Sequence, residues 1–251
     1  MARQKFIAGN WKLNLSIEEG TALVQGIAAF LAGRPTSAEV AVCPTALALA
    51  TVAKAVAGSP VGIGGQNCHW EEKGAFTGEV SASLLKNAGA KYVLLGHSER
   101  RQYFGETDAT VNKRLGAVLK QSLVPILCIG ETLAERQGNK LQQVLETQVK
   151  GALAGFTPEQ LATLVVAYEP VWAIGTGITA TTAQAQEAHA FVRSVLRGVV
   201  GGLADRVRIQ YGGSVKPDNA KEILSQPDVD GALVGGASLK VADFTAIIAA
   251  A

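Results

Sequence analysis

Tyr92-Val93-Leu94-Leu95-Gly96-His97-Ser98-Glu99 is a short apolar run that ends abruptly in a reactive polar cluster. Four consecutive apolar residues suit a strand covered on both faces, because a half-exposed strand would alternate apolar with polar side chains. Outward from it, seven more runs of this kind recur: Lys5 to Ala8, Glu39 to Cys43, Val61 to Gly64, Pro125 to Ile129, Leu164 to Ala167, Arg208 to Gln210 and Gly231 to Val234. Helix patterning fills the intervals, with start signals at Ser16 with Glu19, Thr132 with Glu135, and Thr157 with Gln160, where Pro158 follows the cap. Strands joined by helical crossovers run parallel, since a hairpin turn cannot connect parallel neighbours. Eight such units, with no Gly/Pro/Ser-rich linker between them, predict an α/β fold: one closed (β/α)8 barrel domain over residues 1–251, its parallel strands ringed by helices. An open doubly wound sheet is the alternative, although it usually has fewer strands.

Composition agrees with a large buried core and narrows the partners. The chain is 48% hydrophobic and 18% charged, which excludes a disordered polymer. A formal charge of +2, with Arg100-Arg101 the one adjacent Arg pair, gives no general electrostatic reason to bind nucleic acid. Cys43, Cys68 and Cys128 are odd in number and lack the paired spacing of a zinc site or a disulfide framework, so a reducing compartment is expected. The apolar stretch Phe6 to Gly9 is too short for a signal-peptide core, and no run approaches the roughly 20 residues that span a bilayer. The expectation is a cytoplasmic protein with no membrane partner.

The strand ends carry the functional information. Strand one runs into Asn10-Trp11-Lys12, strand four into Gly96-His97-Ser98-Glu99, strand six into Tyr168-Glu169-Pro170, strand seven into Tyr211-Gly212-Gly213-Ser214, and strand eight into Gly235-Gly236. In a closed parallel barrel all these ends share one face, so residues as distant in sequence as Lys12 and Glu169 can line one pocket. Singly, each has an ordinary reading as a solvated charge, a structural histidine or a turn glycine. Jointly, scattered surface charges would not all follow apolar runs at one edge.

A carboxylate at Glu169, an imidazole at His97 and an ammonium at Lys12 can divide proton abstraction, carbonyl polarisation and charge neutralisation, with Asn10 and Lys12 suited to an enolate-like oxygen. Nothing in the set resembles a metal cage, and no cofactor is expected. The glycines of the last two strand ends let backbone N–H groups approach an anion, and the chain lacks the P-loop pattern, which points to a phosphorylated metabolite rather than a nucleotide. After Glu169, Pro170-Val171-Trp172-Ala173-Ile174-Gly175-Thr176-Gly177 has an apolar body between Pro and glycines, the composition of a lid that excludes water; its plain reading is a βα loop packed on the barrel. Asn67 to Val80 is long for a connection, and Trp70, Ala75 and Phe76 within it suggest a subunit interface.

These stretches resemble the triosephosphate isomerase family. The resemblance rests on Gly9-Asn10-Trp11-Lys12, Gly74-Ala75-Phe76-Thr77-Gly78-Glu79, Gly96 to Arg101, Tyr168 to Gly177, Tyr211-Gly212-Gly213-Ser214-Val215 and Gly235-Gly236, which extend from the first strand to the eighth. It implies a TIM barrel that interconverts dihydroxyacetone phosphate and D-glyceraldehyde 3-phosphate in glycolysis and gluconeogenesis. By the same resemblance Glu169 would be the base, His97 the neutral electrophile, Lys12 the positive charge and Asn10 the group orienting the substrate oxygens; this family is itself the standing illustration of such tuned acid and base groups. Ser98 and Glu99 would support the histidine, and Cys128 matches a cysteine near the site with a structural role. Gly175, Ser214, Gly235 and Gly236 would hold the phosphate. A homodimer is implied through the third loop, Gln66 to Glu79, with Phe76, Thr77, Gly78 and Glu79 at the interface. Leu13 stands where many members carry Met, a swap of similar-sized apolar groups. Two other readings stay open on the residues alone: a Schiff-base aldolase with Lys12 as nucleophile, and a catalytically silent phosphate-binding barrel.

Overall fold

In the computed structural model, which describes residues 3–174 and 179–251, eight strands close into a barrel in sequence order. The strands are β1 Phe6–Asn10, β2 Glu39–Cys43, β3 Val61–Gly65, β4 Tyr92–Leu95, β5 Val124–Ile129, β6 Val165–Tyr168, β7 Arg208–Tyr211 and β8 Gly231–Val234. Around them lie α1 Ile17–Gly33, α2 Ala46–Ala55, α3 Ala82–Asn87, α4 Ser98–Tyr103, α5 Asp108–Lys120, α6 Leu133–Gln137, α7 Leu141–Leu153, α8 Thr182–Val200, α9 Ala220–Leu224 and α10 Val241–Ala249. Every ladder is parallel, and Phe6 pairs with Glu39 on one side and Gly231 on the other, so β8 seals against β1. The open-sheet alternative is thereby excluded.

Alternation within each strand explains why both faces had to be apolar. Phe6, Ala8, Tyr92, Leu94, Ile126 and Cys128 fill the barrel interior, while Ile7, Val93, Leu95 and Leu127 pack outward under the helices. At the end of the barrel opposite the strand C-termini, Glu39 accepts hydrogen bonds from Lys91 at 2.7 Å, from the Tyr92 hydroxyl and from Arg208. Burial alone would raise the pKa of this carboxyl, and the three donors overrule it and bring it to about 2.

The start signals mostly hold. Ser16 with Glu19 and Thr132 with Glu135 form reciprocal capping boxes at α1 and α6. Thr157 with Gln160 is a correction: the side chain of each meets the backbone N–H of the other, at 3.4 and 2.9 Å, but the chain continues only in turns. The reason is room, since β6 begins at Val165. Strand bounds shift by a residue or two; β1, for example, extends through Asn10 rather than stopping at Ala8.

The long connection after β3 also departs in part from expectation. Trp70 is not left to solvent, because it stacks on His69 at 4.3 Å and lies beneath Lys113 and Arg114, a cation–π arrangement within the chain. Phe76 remains 43% exposed, and Thr77, Gly78 and Glu79 are exposed beside it. Among the described residues no helix is long and apolar enough to cross a membrane.

Candidate active site

The strand register brings the sequence-chosen polar residues to one rim around a cavity of about 800 Å³. Asn10, Lys12, His97 and Glu169 line it together with Gly212, Gly213, Ser214, Gly235 and Gly236, Gly212 lying against Glu169 and Gly235 beside Lys12. Asn10 ends β1 and is buried; its side-chain oxygen accepts the Lys12 N–H at 3.0 Å. That bond helps hold Lys12 at φ +50°, a left-handed conformation costing a non-glycine residue on the order of 1–3 kcal/mol and most often found at working sites. The Lys12 ammonium in turn reaches Glu99 at 2.5 Å.

His97 caps α4, and this fixes its ring. Its Nδ1 accepts the Glu99 N–H at 3.2 Å, which places the proton of the neutral ring on Nε2, 2.9 Å from Glu169 Oε1. The other carboxylate oxygen, Oε2, accepts the Ser98 N–H at 2.9 Å. Glu169 is 2% exposed, and burial by itself would favour its acid form; His97, the Ser98 amide and Lys12 reverse that and hold its pKa below the usual carboxylate value. For His97 burial opposes the charged ring, yet Glu169 and Glu99 together move its pKa above the ordinary imidazole value.

Ser214, Gly235 and Gly236 all line the cavity, and the backbone that follows them differs between the two strand ends. Gly235 leads directly into a 3₁₀ turn over Gly236–Leu239, whereas Ser214 is separated by a turn from the five-residue α9. Cys128 faces the barrel interior on β5, fully buried, where burial raises its thiol pKa well above normal. Of the stretch Pro170 to Gly177, expected to be a lid, Val171–Ala173 form a 3₁₀ turn, and Gly175, Thr176 and Gly177 lie outside the described residues.

Two groups at this rim were missed from sequence. Gln66, just past β3, donates to the carbonyls of Lys12 at 2.8 Å and Cys43 at 2.9 Å, tying three strand ends together. Glu131, just past β5 and fully buried, accepts from Tyr168 at 3.1 Å and from the Trp172 indole at 2.8 Å, so the 3₁₀ turn after Glu169 is tethered to the barrel. Burial raises the Glu131 pKa in spite of these donors. Both residues obey the strand-end pattern that singled out the others, and extending it to strands three and five would have found them. Among the described residues no cluster of three or more His, Cys, Asp or Glu side chains is grouped for a metal ion.

A carboxylate, an imidazole donor, an ammonium and a glycine-rich wall in one cavity suit proton transfer beside the carbonyl of a small compound, and the family comparison speaks to the same point. A model of triosephosphate isomerase matches residues 5–251. The chain belongs to the triosephosphate isomerase family. It is 54% identical to the triosephosphate isomerase of Rhodopirellula baltica, covering 100% of this chain and 99% of that one, and 56% identical to that of Citrifermentans bemidjiense, covering 98% of each. The crystal structure of triosephosphate isomerase from Bartonella henselae superposes with a TM-score of 0.90 at 42% identity, over 98% of both chains. Membership in the triosephosphate isomerase family makes this chain an isomerase and implies a triose phosphate as its substrate.

Proposed function

We propose that the enzyme interconverts dihydroxyacetone phosphate and D-glyceraldehyde 3-phosphate with Glu169 as the base that carries the proton between adjacent carbons through an enediolate. The observation that supports this reading best is the Glu169 carboxylate, buried, ionised and held by His97 and the Ser98 amide at the mouth of a glycine-lined cavity. Glu169 must swing from these partners to the substrate. Its departure removes the larger of the two influences that raise the His97 pKa, and burial, Lys12 and the Glu99 amide, set against the remaining Glu99 carboxylate, then favour a neutral ring whose Nε2–H donates to the substrate oxygens. Lys12, engaged by Glu99 rather than free as a nucleophile, supplies fixed positive charge beside the developing enediolate, and Asn10 orients the same oxygens.

The phosphate is assigned to Gly175, Ser214, Gly235 and Gly236, and the stretch Pro170 to Gly177 to a lid whose first turn is tethered through Trp172 to Glu131. The exposed Phe76, Thr77, Gly78 and Glu79 are assigned to a homodimer contact. This reading places a single-domain enzyme in the cytoplasm, serving glycolysis and gluconeogenesis. The test is a coupled assay of triose phosphate interconversion, run alongside Glu169→Asp. Shortening the side chain retracts the base by about 1 Å, so kcat should fall on the order of 100-fold while KM changes little. Equal kcat for the two proteins refutes the assignment of Glu169.

A further inference from the structure

We propose that Gln148, acting through the backbone of Gly130, is a positioning residue that sets where the Glu169 carboxylate stands; the inference rests on the isomerase reading above and deepens it. Gly130 follows β5 directly opposite Glu169. The rungs on either side are the Glu169 N–H to the Ile129 carbonyl at 2.7 Å and the Val171 N–H to the Glu131 carbonyl at 3.1 Å. Between them the strands approach unusually closely. A Cβ placed on Gly130 would lie 1.7 Å from the Glu169 carbonyl oxygen and 2.6 Å from its carbonyl carbon, so the peptide of the base rests against a bare α-carbon. Any shift of Gly130 is transmitted to Glu169 with no side chain between them to absorb it.

Gln148 holds that glycine from outside the barrel. Its Oε1 accepts the Gly130 N–H at 2.7 Å, and its Nε2 donates to the Gly130 carbonyl at 3.1 Å, so one amide side chain engages both polar groups of one residue. The helix that carries it, α7, is itself fixed by the buried Leu145, Val149 and Ala152. Gly130 is only partly buried, so water could satisfy its backbone, and the clamp is not needed to rescue a desolvated peptide. What the clamp adds is direction: it fixes the plane of a peptide that bears on the base. On the other flank a Cβ at Gly212 would come within 2.8 Å of the Glu169 Cγ, so the base stands between two glycine walls, one of which Gln148 holds in place.

The test is Gln148→Met, which keeps the length and apolar stem of the side chain and removes both hydrogen bonds. Two readouts separate positioning from simple support. The first is the split between kcat and KM for triose phosphate: a displaced base lowers kcat tenfold to 100-fold with KM within about threefold, because the phosphate cradle is elsewhere. The second is the titration of His97, one of three histidines, followed by NMR. With Glu169 displaced from its 2.9 Å contact, the His97 midpoint moves down. A kcat within twofold of the unaltered enzyme together with an unmoved His97 titration overturns the proposal, even if the melting temperature drops. If Gln148→Met fails to fold, Gln148→Glu retains the acceptor for the Gly130 N–H and is expected to show the same kcat loss in weaker form; unchanged kcat there overturns the proposal as well. Should the unaltered protein not isomerise triose phosphates, the functional reading falls, while the His97 titration still decides the role of Gln148.

Discussion

Replacing Glu39 by Gln tests the charged plug at the end of the barrel away from the active site. The carboxyl titrates at about 2 in the folded protein against 4.5 as its ordinary value. A depressed carboxyl pKa contributes stability that is complete above the unfolded value and is lost as pH falls from 4.5 through 2. At about 1.4 kcal/mol per pKa unit the ceiling is about 3 kcal/mol; because the side chains of Glu39 and Arg208 are each about one-fifth exposed and Lys91 more so, screening reduces it to about 1–2 kcal/mol. At pH 7 Glu39→Gln should therefore lower the melting temperature by roughly 2–8 °C at fixed protein concentration. At the acid end of the window the unaltered carboxyl takes up its own proton and becomes nearly isosteric with the amide, so the two proteins should converge. Thermal melts of both proteins at intervals from pH 7 to pH 3, by which point the difference should have shrunk by roughly half or more, measure this. A difference that stays constant across the range, or no difference at pH 7, refutes the assignment.

Three further outcomes are expected. Burial lowers the pKa of His189 to about 4, so the protein should lose stability as pH falls from 6.5 towards 4; in His189→Asn, which cannot titrate, melts over that window should flatten, and an unchanged slope would contradict this. Burial pushes the thiols of Cys43 and Cys68 up to about 12 and that of Cys128 higher than normal, so a thiol-specific chromogenic reagent should report none of the three in the native protein and all of them in denaturant. Phe76→Glu should convert a dimer into weakly active monomers, which sedimentation velocity would detect; an unchanged sedimentation coefficient would count against the interface assignment.

The architecture was legible because barrel strands are buried on both faces and so announce themselves as unbroken apolar runs; Tyr92 to Leu95 needed no context. Asn10, Lys12, His97 and Glu169 were legible for a related reason, since a polar residue directly after such a run has one rim on which to fall. Other features depend on contacts that leave no local trace. Whether Thr157 with Gln160 opens a helix is decided by the distance to β6, not by the cap. The partial covering of Trp70 depends on cations from α5, and the clamp of Gln148 on Gly130 is visible only when the backbone of Glu169 is in place. The tautomer of His97 likewise comes from one helix-capping amide, which the sequence alone does not orient.

Because β8 hydrogen-bonds to β1 as its other neighbours do to one another, no strand is structurally terminal. The order in which the ribosome delivers the units is therefore separable from the ring they make. A circularly permuted gene, opened at a turn on the rim remote from Glu169, should encode the same catalytic cavity from a differently started polypeptide.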